Sequence, residues 1–237
     1  LDKKHIEVCL TPEQIHHFDL SGKIVVVTDV LRATSCMVTG LAHGVDSIIP
    51  VATLEECQAY QLKGYLAAAE RGGRQVEGFD LGNSPFQYMN PDLKGKSVVV
   101  STTNGTQAIT KSMQARSILI GAFLNLSAVA KHLIFSDKDV VIHCSGWKGL
   151  FSMEDTLFAG ALLDKLRLTH SFESDAALMA LTMYQQAKSD VSAFIHKANH
   201  AQRLSRFNIS KDIDFCCKLD EYSVVPQLAG REIRVSQ

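Results

Sequence analysis

This 237-residue chain is short of the usual signposts. Lysine and arginine number 24 against 25 aspartate and glutamate, a formal charge of -1, so no global positive field argues for nucleic acid or an anionic membrane surface. Nowhere do about 18 apolar residues run together, so no transmembrane helix is expected. The cysteines Cys9, Cys36, Cys57, Cys144, Cys216 and Cys217 form no CxxC pair and no zinc-like spacing. They sit mostly inside apolar runs, as reduced thiols in a reducing cytoplasm would. Leu1, Asp2, Lys3, Lys4 and His5 lead straight into a strand-like run, without a signal-peptide core. No GxGxxG follows a strand and no nucleophile elbow is present, which weighs against dinucleotide binding and acyl transfer. The expectation is a soluble, cytoplasmic protein whose anionic ligands are recognised locally.

What is present is the composition of a folded domain, 46% hydrophobic and 21% charged. Ile6–Leu10 reads as a strand, followed by a short helix from Thr11 and Pro12. Ile24–Val27 is a continuous apolar strand of the kind buried on both faces of a parallel sheet, and a helix follows from about Arg32 to Leu41. Ser47–Val51 is the next strand. Thr53 caps a helix with Glu55 and Glu56 in its first turn, and Tyr65–Ala69 lead to Glu70. This alternation predicts a three-layer α/β/α fold with a mostly parallel or mixed sheet. Asp19-Leu20-Ser21-Gly22-Lys23 resembles Asp92-Leu93-Lys94-Gly95-Lys96, and Ser47-Ile48-Ile49 matches Ser117-Ile118-Leu119. These offsets suggest two βαβαβ repeats, about 19–90 and 92–150, in one compact domain over 1–237 with a helical part at about 152–210. Chance likeness of two Val-rich strands is the plainer alternative. If the copies are real, Asp29 matches Thr102, Glu70 falls near Cys144 or Ser145, and the strand ends gather on one edge. Toward the end, Asp212–Cys217, Val224–Pro226 and Glu232–Val235 suggest short strands at the sheet's edge or in a hairpin.

The chemistry concentrates in loops. From Glu70 to Pro85 the chain packs carboxylates, Arg71 and Arg74, and glycines at 72, 73, 78 and 82, with no apolar periodicity. Asn83 or Ser84 before Pro85 reads as a helix cap. Ser101-Thr102-Thr103-Asn104-Gly105-Thr106 precedes a helix over Gln107–Gln114 and offers N–H groups and hydroxyls suited to phosphate; an ordinary capped helix fits as well. Ser152 with Asp155 approximates a capping box, though the glycine-rich loop before it keeps Asp155 a ligand candidate. His196 and His200 lie one turn apart on a helix read from Ser174 to Ala201, where a partly exposed face is favoured over a shared metal. Asp29, Glu70, Asp80 and Asp155 are hard oxygen donors that suit Mg²⁺, and Arg32, Arg71 and Arg74 beside them make sense if a multiply charged anion joins metal and arginine. Phosphoryl chemistry follows. The phosphoaspartate-forming haloacid dehalogenase phosphatases also place an aspartate after a buried strand, but their second acid two residues on is Leu31 here.

Five ordered motifs carry a more specific likeness. Asp29-Val30-Leu31-Arg32-Ala33-Thr34-Ser35, Glu70-Arg71-Gly72-Gly73, Gly78-Phe79-Asp80-Leu81-Gly82-Asn83-Ser84-Pro85, Thr102-Thr103-Asn104-Gly105-Thr106 and Phe151-Ser152-Met153-Glu154-Asp155 together resemble the 2-phosphosulfolactate phosphatase family, the ComB-like proteins. The resemblance extends from about Ile6 to Pro226. It implies a Mg²⁺-dependent hydrolase converting (2R)-2-phospho-3-sulfolactate to 3-sulfolactate and phosphate, a step of coenzyme M biosynthesis in methanogens. Phosphate, carboxylate and sulfonate would give Arg32, Arg71, Arg74 and Lys148 separate anions to hold. On this reading Asp29, Asp80 and Asp155 surround Mg²⁺, Glu70 is a further ligand or a general base, and Arg32 and Arg71 clamp the anions. Gly72, Gly73, Asn83, Ser84, Thr102, Thr103, Asn104, Gly105 and Thr106 bind phosphate. Ser101 and Ser145 depart from the Thr and Ala expected there. A sensor using the same pocket, a phosphatase for another phosphorylated hydroxy acid, and a homodimer all stay open.

Overall fold

The computed structural model describes residues 3–207 and 209–235; the ends of the expected 1–237 domain, Leu1 and Asp2 among them, lie outside the described residues. In chain order the elements are β1 (Lys4–Cys9), β2 (Ile24–Thr28), α1 (Ala33–Ala42), β3 (Ser47–Pro50), α2 (Leu54–Gln61), β4 (Leu66–Arg71), β5 (Arg74–Gln75) and α3 (Pro85–Tyr88). There follow β6 (Ser97–Ser101), α4 (Gly105–Lys111), β7 (Ser117–Gly121), α5 (Leu126–Phe135), β8 (Val140–Cys144), α6 (Met153–Leu166) and β9 (His170–Ser171). The chain ends in α7 (Asp175–Ala187), α8 (Val191–Ile195), α9 (Asn199–Ser205), α10 (Ser210–Cys216), β10 (Pro226–Ala229) and β11 (Glu232–Val235).

The strands form one mixed sheet in the order β5-β4-β6-β3-β11-β10-β7-β2-β8-β1-β9. Helices cover both faces, giving a three-layer α/β/α architecture. Alternation along each buried strand assigns the faces. Val25 and Val27 of β2, with Val98 and Val100 of β6, share a core with Ala33, Met37 and Leu41 of α1 and Ile109 of α4. Ile24 and Val26 instead pack with Val129 and Leu133 of α5 and Leu157 and Phe158 of α6. Val99 and Ile49 turn to Cys57 of α2. The α2 start is fixed by a capping box in which Thr53 Oγ1 accepts from Glu56 N–H and the Glu56 carboxylate accepts from Thr53 N–H. All six cysteines are buried and none is in a disulfide.

Outward from the β10–β11 hairpin, one side of the sheet reads β3-β6-β4 and the other β7-β2-β8. The strands related by the 70–74 residue offset therefore occupy mirrored positions. β6 lies between β4 and β3, and β2 between β7 and β8, because α1 and α4 each carry the chain from one half of the sheet to the other.

Several sequence expectations need correction. Pairing is antiparallel at β7–β10, β10–β11 and β11–β3, so the two halves run in opposite senses and no single edge gathers their ends. Twist of about 20–25° per strand, accumulated over the five steps from β2 to β6, turns the ends of β2 and β6 toward each other. The terminal hairpin lies at the centre of the sheet, not its edge, and Asp212–Cys217 is helical. No helix starts at Pro12; a turn leads to a single 3-10 turn at Ile15–His17. The helix read from Ser174 to Ala201 is three helices, α7 to α9. Among the described residues, no helix is long and apolar enough to cross a membrane.

Because the hairpin joins the two half-sheets, its buried side chains matter. Ile233 is 0% exposed and pairs with Ile48 of β3. Ile233→Ala is expected to cost about 2–5 kcal/mol in chemical denaturation; a loss below about 1 kcal/mol would show that the hairpin does not tie the halves together.

Candidate active site

Asp29 follows β2 and is anchored by its own loop. Its N–H donates to Thr34 Oγ1 (2.9 Å), and its Oδ1 accepts from Ala33 N–H (3.2 Å). Directly across lies the loop after β6. A Cβ on Gly105 would come within 2.7 Å of Ala33 Cβ and 3.0 Å of Asp29 Oδ2, so only glycine lets these two loops close on each other.

Behind Asp29 stand Asp155 and Glu154, at the start of α6 and both 2% exposed. Asp155 makes no capping box, and Ser152 caps nothing with its side chain. Its carboxylate instead crosses to the strand ends, where Oδ1 accepts from Val30 N–H (2.9 Å) and Oδ2 from Gly146 N–H (3.0 Å). Glu154 Oε1 meets His200 Nδ1 at 2.6 Å, while Oε2 is buried with no partner among the described residues. Burial pushes the Asp29 carboxyl up to about 6, the charges of Glu70 and Glu154 adding to it against the Ala33 N–H and His200. Asp155 is raised well above the usual range by burial, and then by Asp29 and Glu154.

Glu70 ends β4. The turn through Gly72 (φ 66°) and Gly73 (φ 90°) folds back so that Gly73 N–H donates to Glu70 Oε1 (2.5 Å). Glu70 Oε2 lies 3.5 Å from Thr103 Oγ1. Arg32 is buried, its guanidinium donating to Asp212 of α10 and to the Gly73 carbonyl (3.0 Å). A cavity of about 130 Å³ collects Asp29, Arg32, Glu70, Thr103, His200 and Arg203. A larger groove of about 970 Å³ runs between α5 and residues 220–225, but it takes in none of these groups.

Most of the expected residues meet here, and some do not. Gly72, Gly73, Asn83, Asn104 and Lys148 also line the cavity. Thr102 and Thr106 bond to each other within the α4 turn, Thr106 N–H to Thr102 Oγ1 at 3.2 Å. Ser84 lies in an adjoining hollow with Arg74, whose guanidinium rests 4.5 Å from the Phe207 ring centroid. Arg71 is spent on the Glu70 and Ser101 carbonyls and on Ser101 Oγ. Asp80 is exposed and accepts from Ala67 N–H (2.9 Å) at the start of β4, away from the strand end that carries Glu70. It does not join Asp29 and Asp155. Among the described residues no three His, Cys, Asp or Glu side chains are grouped to hold a metal ion.

His196 and His200 part company. His196 pairs with Asp214 on the surface (2.8 Å), whereas His200 is buried and stacks on Trp147, ring centroids 5.4 Å apart and planes 12° apart. Trp147, His200, Arg203 and Glu154 are site residues to which the sequence reading gave no role; His200, read there on a partly exposed face, is buried instead. The available signal was the i, i+3, i+4 face of α9 carrying His200, Arg203 and Leu204.

A family model described as 2-phosphosulpholactate phosphatase matches residues 9–231. The chain belongs to that family. A probable 2-phosphosulfolactate phosphatase of Caldanaerobacter subterraneus subsp. tengcongensis is 39% identical over 232 residues, 96% of each chain. Similarly named proteins of Clostridium novyi (38% over 226 residues, 94% of this chain and 96% of that protein) and Thermotoga petrophila (39% over 205 residues, 86% and 88%) are also similar. Family membership makes this chain a phosphoric monoester hydrolase, and the strand-end cavity gathers charged groups of the kind that such chemistry uses.

Asp29 favours its protonated form in the fold, so its contribution to stability is full below about pH 4 and is lost as pH rises through about 6. In metal-free buffer at pH 7.5, Asp29→Asn is therefore expected to be more stable than the wild type by up to about 2–3 kcal/mol. That advantage should vanish toward pH 4. Thermal melts across this range test it, and a variant less stable at pH 7.5 would contradict the buried-charge account.

Proposed function

We propose that the chain hydrolyses (2R)-2-phospho-3-sulfolactate to 3-sulfolactate and phosphate, with Mg²⁺ as cofactor. The observation that carries this reading is one small cavity in which the buried carboxylates Asp29 and Glu70 meet the cations of Arg32, Lys148 and Arg203. A metabolite sensor would need no buried acids there. An anionic ester that brings or meets a divalent cation would satisfy both sets of charges.

The residues fit Mg²⁺ by their donor chemistry. The ion is usually held by one or two carboxylates plus substrate phosphate and water, so Asp29 suffices as its carboxylate, Glu70 is left free as a base, and a cage of three is not required. The raised Asp29 and Asp155 carboxyls and the unpartnered Glu154 Oε2 mark a place short of positive charge. When bound, the ion would neutralise phosphate oxygens as the ester bond breaks. Asp155 holds the Val30 and Gly146 N–H groups and so fixes the loops on which Asp29 stands. Arg32, oriented by Asp212, offers its remaining N–H groups to phosphate. Glu70, fixed at one oxygen by Gly73, is placed to orient a water and take its proton. That water oxygen bonds to phosphorus, the bond from phosphorus to the C2 oxygen breaks, and the leaving oxygen is protonated to the alcohol.

Phosphate release from 2-phosphosulfolactate, measured with Mg²⁺ and with EDTA, tests the reading. Release is expected only with the metal. Equal rates in EDTA would remove Mg²⁺ from the account, and no release under either condition would remove the substrate. Asp29→Asn should lower turnover at least about a hundredfold, and near-normal turnover would take Asp29 out of the mechanism.

A further inference from the structure

Two cations of the cavity, Lys148 in the loop after β8 and Arg203 on α9, enter no ion pair among the described residues. Lys148 Nζ and the Arg203 guanidinium carbon each lie 5.1 Å from the centroid of the Trp147 ring. Arg203 donates to the Gly72 carbonyl (2.9 Å), while its Nε is buried with no partner among the described residues. Trp147 is itself fixed, stacked on His200, which Glu154 holds.

Lys148 stands where lysine is costly. Trp147 and Leu150 exchange N–H to carbonyl bonds of 2.8 and 3.0 Å around a two-residue turn. Lys148 (φ 52°) and Gly149 (φ 74°) both take left-handed backbone there. Asparagine or glycine is the ordinary first residue of such a turn. A side chain kept in a disfavoured conformation at the rim of a charged cavity points to a use for its charge.

We propose that Lys148 and Arg203, set on Trp147, form the subsite for the sulfonate, the substrate group that is not transferred. The inference rests on the hydrolase reading above. Phosphate belongs beside Asp29, Glu70 and Arg32, where the reacting carboxylates are. A planar carboxylate is best matched by a single bidentate guanidinium, whereas a sulfonate presents three oxygens in a tetrahedron and can bridge two separate cations.

The test uses Lys148→Gly, which removes the charge and relieves the turn, and Arg203→Gln, which keeps a donor for the Gly72 carbonyl. In each, the ratio of kcat/KM for 2-phosphosulfolactate over 2-phospholactate should fall by about tenfold to a hundredfold, mainly through KM for the sulfonated ester. Calorimetric binding of 3-sulfolactate, which needs no turnover, should weaken by the same factor. Parallel losses on both esters would assign the pair to phosphate or carboxylate and overturn the proposal. So would an unchanged ratio, a wild type that does not distinguish the two esters, or one that does not bind 3-sulfolactate. If the wild type binds 3-sulfolactate through these residues yet hydrolyses neither ester, the sulfonate subsite stands and the hydrolase reading falls.

Discussion

Asp29, Glu154 and Asp155 are buried within one another's electric fields, and the architecture of this end of the molecule follows from having to bear that charge. Isolated carboxylates in such surroundings would cost many kcal/mol or take up protons. The fold offsets the cost with main-chain donors: Ala33 N–H to Asp29, and Val30 and Gly146 N–H to Asp155. A single imidazole, His200, stands against Glu154. Such donors exist only where strands have just ended and the backbone has free N–H groups to aim, which places the cluster after β2 and β8. The compensation is incomplete, as the raised Asp29 and Asp155 carboxyls record. An incompletely compensated acidic cluster opening into a cavity with arginine is poised for a cation and an anion together.

Bringing Glu70 to that cluster is the work of the topology. Asp29 and Glu70 end strands in different halves of the sheet, and those halves run in opposite senses across the β10–β11 hairpin. A flat sheet would send the two residues apart. Twist turns the halves, and the crossing of α1 and α4 between them places the loop after β6 against the loop after β2. Gly105 is the point of contact, and its missing Cβ is what permits the approach. The site is thus shared between the two halves and depends on the hairpin that joins them.

How much of this could be read from sequence depended on whether a residue's surroundings were local. Asp29, Glu70 and the Thr103–Gly105 turn are legible because each lies at or just after the end of a short buried strand. Arg71 was misjudged, although strand periodicity held the answer: neighbours on β4 face opposite sides, so if Glu70 turns inward Arg71 turns away, to Ser101. Asp80 could not be placed from composition, because the glycine-rich segment folds back and spends its carboxylate on Ala67 N–H at the far end of the same strand. Asp155 has the spacing of a capping box, and only the approach of the Val30 and Gly146 N–H groups diverts it. The likeness between strands 70–74 residues apart is visible in the sequence, while their exchange between halves is not, since parallel neighbours are chosen by long-range packing.

The residues given no role from the sequence share a source. His200 and Arg203 lie on α9, and Asp212, which orients Arg32, lies on α10, in a stretch that periodicity divides poorly into elements. These helices carry no strand-end motif. They matter because α9 lies over the cavity, with Leu204 against Gly73 so closely that a Cβ there would come within 3.0 Å of it. The charge of the site is therefore divided by origin. Strand ends supply the acids, which need main-chain donors to be tolerable when buried. Arg32 comes with them from the loop after β2, whereas α9 and the 147–150 turn supply Arg203 and Lys148, which need only the Trp147 ring to rest on. The acidic part cannot change without disturbing the sheet, whereas the basic part can be altered at the surface of a helix or the tip of a turn. A fold divided this way can hold its reaction fixed while the anion it selects is set by residues that cost the core little.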